Sequence, residues 1–130
     1  MKRIVMDVDG TLTLPGSESY AAALPNPPVV TRLREYQAAG FTIVLHTSRN
    51  MRTYGNNLGL ITARTLPVLL AWLAEHDIPY DEIHLGKPWC GEDGFYVDDR
   101  AVRPAEFASL EPDQLRRLLG SEARSEGGRG

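Results

Sequence analysis

Arg3-Ile4-Val5-Met6-Asp7-Val8-Asp9-Gly10-Thr11 opens the chain, and its reading settles the rest. Arg3 to Val8 is a short β-favouring run that stops at Asp9-Gly10, a turn signal. Residues 13–28 carry four prolines, a glycine and two serines and read as a loop. From Pro28 to Ala39, apolar Val29, Leu33 and Tyr36 recur at helical spacing, and Gly40 supplies a stop. Phe41-Thr42-Ile43-Val44-Leu45 is a near-continuous apolar strand. Leu66, Leu69, Leu70 and Leu73 then fall at i, i+3, i+4 and i+7, with Thr65 placed to cap that helix and Pro67 tolerated in its first turn. Glu82–Leu85 and Gly94–Val97 read as further strands, Phe107–Leu110 as a short edge strand, and Asp113–Leu119 as a closing helix. Alternating strands and helices predict a parallel sheet with right-handed crossovers, and strands this apolar are covered on both faces. The expected class is α/β, a three-layer α/β/α sandwich.

Composition sets the bounds. The chain has 130 residues, 42% of them apolar, which suits one globular domain rather than a disordered chain. Residues 1–119 are expected to form that domain. Residues 120–130, with four glycines and almost nothing apolar, are expected to be a disordered tail. Fourteen basic against seventeen acidic residues give a net charge of −3, so no basic face for nucleic acid is expected. The single cysteine cannot form an internal disulfide. The basic start resembles a signal peptide, but Asp7 interrupts the apolar stretch, and no run approaches the ~18 residues of a membrane span. A cytoplasmic domain with no membrane or nucleic-acid partner is expected.

In parallel sheets, sites form beyond the carboxyl ends of the strands. Strand one ends in Asp7-Val8-Asp9-Gly10-Thr11, and strand two in His46-Thr47-Ser48-Arg49-Asn50. The third leads into Gly86-Lys87-Pro88-Trp89, and the fourth ends in Asp98-Asp99. Asp7 and Asp9, two apart on a strand, start on the same face. Four carboxylates brought together cannot all stay ionised without a cation. Few ligands, all of them oxygen, point to Mg²⁺. Zinc does not fit, because His46, His76 and His84 lack its spacing and Cys90 stands alone. An EF-hand loop counted from Asp7 fails, with Leu12 where glycine is required, and no phosphate-binding Gly-rich loop precedes Lys87. Taken singly, the Asp-Gly pair is compatible with a turn, Asp98-Asp99 with an exposed loop, and Thr47-Ser48 with strand-exit hydroxyls. Lys87 is, apart from Lys2, the only lysine beside twelve arginines. The conjunction of four signals, each at a strand end, carries the reading.

These residues resemble the haloacid-dehalogenase (HAD) superfamily. Its four motifs are matched in order by Asp7-Val8-Asp9-Gly10-Thr11, Thr47, Lys87 and Asp98-Asp99. Residues 47–53, 86–91 and 93–104 further resemble the small capsular-polysaccharide biosynthesis phosphatases. The resemblance implies a Rossmann-like fold, here too short for a cap domain, and Mg²⁺-dependent hydrolysis of a small phosphorylated metabolite, a sugar phosphate above all. It implies Asp7 as nucleophile, Asp9 as general acid–base, and Thr47 and Lys87 as phosphoryl-binding groups. Metal would be held by Asp7, the Asp9 carbonyl and one or both of Asp98 and Asp99. Gly10, Thr11, Ser48, Arg49, Asn50, Arg52 and Trp89 are the candidate substrate contacts. The polar loop after Thr47 is equally compatible with solvation, and Trp89 with packing. A non-catalytic phospho-ligand module and a phosphotransferase to a non-water acceptor stand as alternatives. A site without a cap also makes homo-oligomerisation an expectation.

Overall fold

The computed structural model describes residues 1–127, with side chains described through Gly120. Met1–Trp89 forms one compact unit and the chain from Cys90 onward another.

The first unit is a Rossmann-like α/β structure. β1 (Arg3–Met6), β2 (Thr42–His46) and β3 (Glu82–His84) form a parallel sheet in the order β1-β2-β3. Register pairs Ile4 with Ile43 and Met6 with Leu45, and then Leu45 with Ile83. These residues share one face, which α1 (Pro27–Ala38) and α3 (Leu66–Glu75) cover. Two right-handed crossovers running in one direction across the sheet put both helices on the same side. Arg34 of α1 confirms their adjacency by donating to the carbonyls of His76 (3.2 Å) and Asp77 (2.9 Å) just beyond α3. Val29, Leu33, Ile43, Leu45, Leu69 and Leu73 are buried between the layers. The other face carries Arg3, Val5, Thr42, Val44, Glu82 and His84 by alternation. Arg3 reaches Glu82 at 3.2 Å there, and His84 Nε2 lies 3.1 Å from the same carboxylate. The parallel sheet with its helices is the expected α/β, Rossmann-like class.

α1 begins one residue earlier than expected, with prolines in its first turn, and closes through Gly40 at φ 95°. The next crossover departs further. α2 (Leu58–Leu60), a π-turn (Ile61–Thr65) and α3 run on as one helical stretch. Its cap is Asn57, whose Oδ1 accepts the Leu60 N–H at 3.1 Å, and Thr65 lies inside rather than at the start. Pro67 gives the physical reason: lacking an N–H, it cannot complete an α-type bond to Ala63, and widening to i→i+5 accommodates that loss. At 18 residues, Leu58–Glu75 is apolar and long enough to cross a membrane by length and composition, which the sequence reading missed. Ile61, Thr65, Leu69, Trp72 and Leu73 are buried, however, so it serves as a core helix of this unit.

The second unit holds α4 (Pro104–Ser109) and α5 (Pro112–Gly127). Three expectations are corrected here. Gly94–Val97 forms no strand, and Phe95 and Val97 are 78% and 87% exposed. A four-residue apolar run sets no register without a paired neighbour, since β-propensity is largely tertiary context. Phe107–Leu110 is no edge strand, because Pro104 at the first position and Glu106, accepting the Arg103 N–H at 2.8 Å, start a helix instead. The helix expected over 113–119 runs from Pro112 on through Gly127, into the stretch read as a tail. The rest of that tail, 128–130, lies outside the described residues.

Candidate active site

The site of the first unit grows from the C-terminal edge of its sheet. Beyond β1 the chain turns sharply: Val8 O receives the N–H groups of Thr11, Leu12 and Thr13 at 3.2, 2.8 and 3.2 Å, and Gly10 sits at φ 80°. The turn folds Thr11 back, so that its hydroxyl donates to Asp7 Oδ2 at 3.1 Å. The Gly10 N–H is taken by Thr13 Oγ1 at 3.0 Å. Gly10 and Thr11 thus shape the turn rather than offering these groups outward.

Beyond β2, Thr47 is buried, and its N–H bonds His84 O at 3.0 Å. Its carbonyl accepts the Lys87 N–H at 3.1 Å, tying the exits of β2 and β3 together. That tie brings Lys87 Nζ to 3.6 Å from Asp7 Oδ1, with both side chains partly exposed. Three sequence-predicted residues, Asp7, Thr47 and Lys87, are therefore brought together from three strand ends.

Asp9 has a separate partner. Arg49 Nε donates to Asp9 Oδ2 at 3.0 Å and Arg49 Nη2 to Asp9 Oδ1 at 2.8 Å. The Arg49 side chain is wholly buried beneath the Tyr20 ring, whose centroid lies 4.2 Å from the guanidinium carbon. Tyr20 comes from an excursion closed at its base by Leu14 N–H to Leu24 O at 2.8 Å, and anchored where Trp72 Nε1 donates to Ala23 O at 2.7 Å. Burial, and then the Asp9 charge, raise the Tyr20 phenol above its usual value, against the opposing pull of Arg49. Asn50, in the left-handed region at φ 62°, accepts a 2.7 Å bond from Thr65 of the π-turn. Ser48 is half-buried. Exposed Arg52 lies over the Trp89 ring at 5.4 Å.

His46, next to Thr47, has its imidazole pushed below the usual range, first by burial and then by the Lys87 and His84 charges, with Asp7 opposing. Tyr20 has no expected role in the sequence, and Thr65 is expected there only as a helix cap. Neither carries a motif, and only the excursion and the π-turn bring them to Arg49 and Asn50.

Asp7 and Asp9 each have a side-chain cation of their own, so the pair does not by itself demand a metal. Among the described residues, no three His, Cys, Asp or Glu side chains form a metal-holding group. The donor chemistry still suits Mg²⁺, which takes one or two carboxylates and otherwise keeps water. Asp7 is partly exposed, and in the turn the Val8 carbonyl, not that of Asp9, collects the N–H groups. Asp98 and Asp99 belong to the second unit, where Asp98 Oδ1 accepts the Arg100 N–H at 2.8 Å.

Among solved structures, the chain is similar to an MCSG target from Vibrio cholerae, with 52% identity and a TM-score of 0.92 over 94% of this chain and 99% of that one. The chain belongs to that protein's family. The description of that relative names no activity, so the kinship fixes descent and fold and leaves the chemistry to the site. The chain is also similar, at 22% identity and a TM-score of 0.45 over 73% of its length and 54% of the other, to a D,D-heptose 1,7-bisphosphate phosphatase from B. bronchiseptica complexed with magnesium and phosphate. That likeness is too slight to support any inference. No family model matches the chain, and no curated protein does.

Proposed function

We propose that the chain is a Mg²⁺-dependent phosphomonoesterase of the haloacid-dehalogenase type. Its substrate is a small phosphorylated metabolite, a sugar phosphate of polysaccharide or secondary-metabolite biosynthesis. The reading rests on one observation: Asp7, at the end of β1, is held by Thr11 at 3.1 Å and faces Lys87 at 3.6 Å, beside the buried Thr47. A carboxylate oriented by a hydroxyl and facing an ammonium at a strand edge suits attack on phosphorus.

A phosphomonoester dianion repels a carboxylate, so its charge has to be neutralised as Asp7 approaches. Lys87 supplies one positive charge for this, and the Thr47 hydroxyl donates to a phosphoryl oxygen. Asp7 attacks phosphorus and forms an aspartyl phosphate while Asp9 protonates the departing alkoxide. Asp9 then takes a proton from the water that cleaves the acyl phosphate. Asp7 and the Asp9 carbonyl, with Asp98 and Asp99 as the further carboxylates, are proposed as the residues that would hold Mg²⁺, which would supply additional charge neutralisation. The part given to Asp98 and Asp99 is read from their sequence alone. Arg52 and Trp89 are proposed to meet the sugar portion, and self-association of a cytoplasmic protein to cover the open site.

The test is phosphate release from a panel of phosphorylated sugars, sugar acids and nucleotides, with Mg²⁺ and with chelator. We expect turnover of at least one sugar phosphate, its loss on chelation, and its loss in Asp7→Asn with the fold intact by circular dichroism. Undiminished turnover in Asp7→Asn overturns the reading.

A further inference from the structure

We propose that Arg49 is a positioning residue that locks the Asp9 carboxyl group in one orientation, and that Tyr20 seals this lock from solvent. The inference rests on the phosphatase reading and goes beyond it, because the sequence marks Arg49 only as a candidate substrate contact.

The geometry is a fork on a fork. Both Asp9 oxygens are engaged, at 3.0 and 2.8 Å, by two nitrogens of one planar guanidinium, an arrangement that fixes rotation of the carboxylate as well as its place. Exposure is strongly unequal. The Arg49 side chain is 0% exposed and that of Asp9 36%, so the acid meets solvent while its anchor does not. A guanidinium in that position is out of reach of an incoming substrate.

The anchor is itself held. The Arg49 N–H donates to Thr47 Oγ1 at 3.0 Å, and the following residue, Asn50, is fixed by Thr65 at 2.7 Å. Arg49 Nη1 is buried with no hydrogen-bond partner. A buried ion pair carrying an unmet donor is a poor device for stability, since hydrocarbon of the same volume does as well or better. Its gain is in direction. With the carboxylate unable to rotate, the lone pair that carries a proton points one way, toward one place for a leaving oxygen or an attacking water.

Leaving-group dependence separates this role from a structural one. p-Nitrophenolate departs without a proton, whereas a sugar alkoxide needs one. Arg49→Lys keeps the charge and loses the fork. We expect its single-turnover rate of phosphoenzyme formation from glucose 6-phosphate, or from the best sugar phosphate of the panel, to fall about 100-fold, with the same step from p-nitrophenyl phosphate changing less than about threefold, the later hydrolysis being common to both. Tyr20→Ala, at an exposed loop, should shift the same ratio in the same direction by less, and it decides the matter if Arg49→Lys does not fold. Equal losses on both substrates, or no change in the ratio, overturn the positioning role and leave the phosphatase reading standing. A wild-type protein that hydrolyses neither substrate overturns the phosphatase reading first and this inference with it. Independently of turnover, the Arg49 Nε–H resonance should be protected from solvent exchange and lose that protection in Asp9→Asn. Rapid exchange in the wild type overturns the lock.

Discussion

Asp7 and Asp9 stand two residues apart, yet the fold gives them different company. Asp7 faces an ammonium and a hydroxyl that are both partly open to solvent, while Asp9 is gripped by a buried guanidinium. The proposed division of labour between nucleophile and proton carrier rests on that difference rather than on the residue type they share. His46 reports on the same edge. Its imidazole is pushed below about 6.5 by burial and by Lys87, so its NMR titration midpoint should lie below that value and move back toward it in Lys87→Met. The unfolded chain takes up this proton near 6.5 while the folded chain resists, so unfolded molecules bind more protons as pH drops. Stability is therefore intact above about pH 7, falls as pH decreases through 6.5, and levels off once the folded imidazole also protonates. Thermal unfolding at pH 7.5 and 5.5 checks this: the difference in Tm should shrink in His46→Asn, and an unchanged difference refutes it.

Elements place these residues through a few local decisions. Gly86, between β3 and Lys87, adopts φ 83°, and a Cβ there would lie 2.7 Å from Leu58 Cδ2. Gly86→Ala should cost about 1–2 kcal/mol from the left-handed backbone, read as a lower denaturation midpoint, and should weaken inhibition by inorganic phosphate as Lys87 shifts. The helical stretch from Leu58 depends on Asn57, so Asn57→Ala should cost about 1 kcal/mol in urea unfolding. Most crossover elements were legible from apolar periodicity and from Gly40. The π-turn was not, because it arises from a missing proline N–H deep in a helix that hydrophobic spacing alone starts later. The strand expected at Gly94–Val97 failed for a different reason: its apolar residues match a strand, but pairing depends on a neighbour rather than on the run itself.

At the scale of the molecule, the first unit packs two helices on one sheet face, with Leu69 at the centre of that layer and fully buried. Leu69→Ala should cost about 2–5 kcal/mol by leaving a cavity, measured as a drop in unfolding free energy. The second unit contributes to the proposal through Asp98 and Asp99. Replacing each with Asn should raise the Mg²⁺ concentration needed for half-maximal turnover, and a requirement unchanged in both variants removes them from the metal's ligand set.

Local chemistry, written in the order of residues, determined the parallel α/β class and the strand ends where Asp7, Thr47 and Lys87 meet. Period-2 and period-3.6 patterns are properties of neighbouring residues, and the carboxyl-edge rule then follows from sheet direction. Which cation serves which acid was decided only in three dimensions. Arg49 looked outward in the sequence and is buried against Asp9 in the fold, under a tyrosine from a distant excursion. Burial and pairing depend on what the rest of the chain stacks above a side chain, and nothing in its immediate neighbours encodes that.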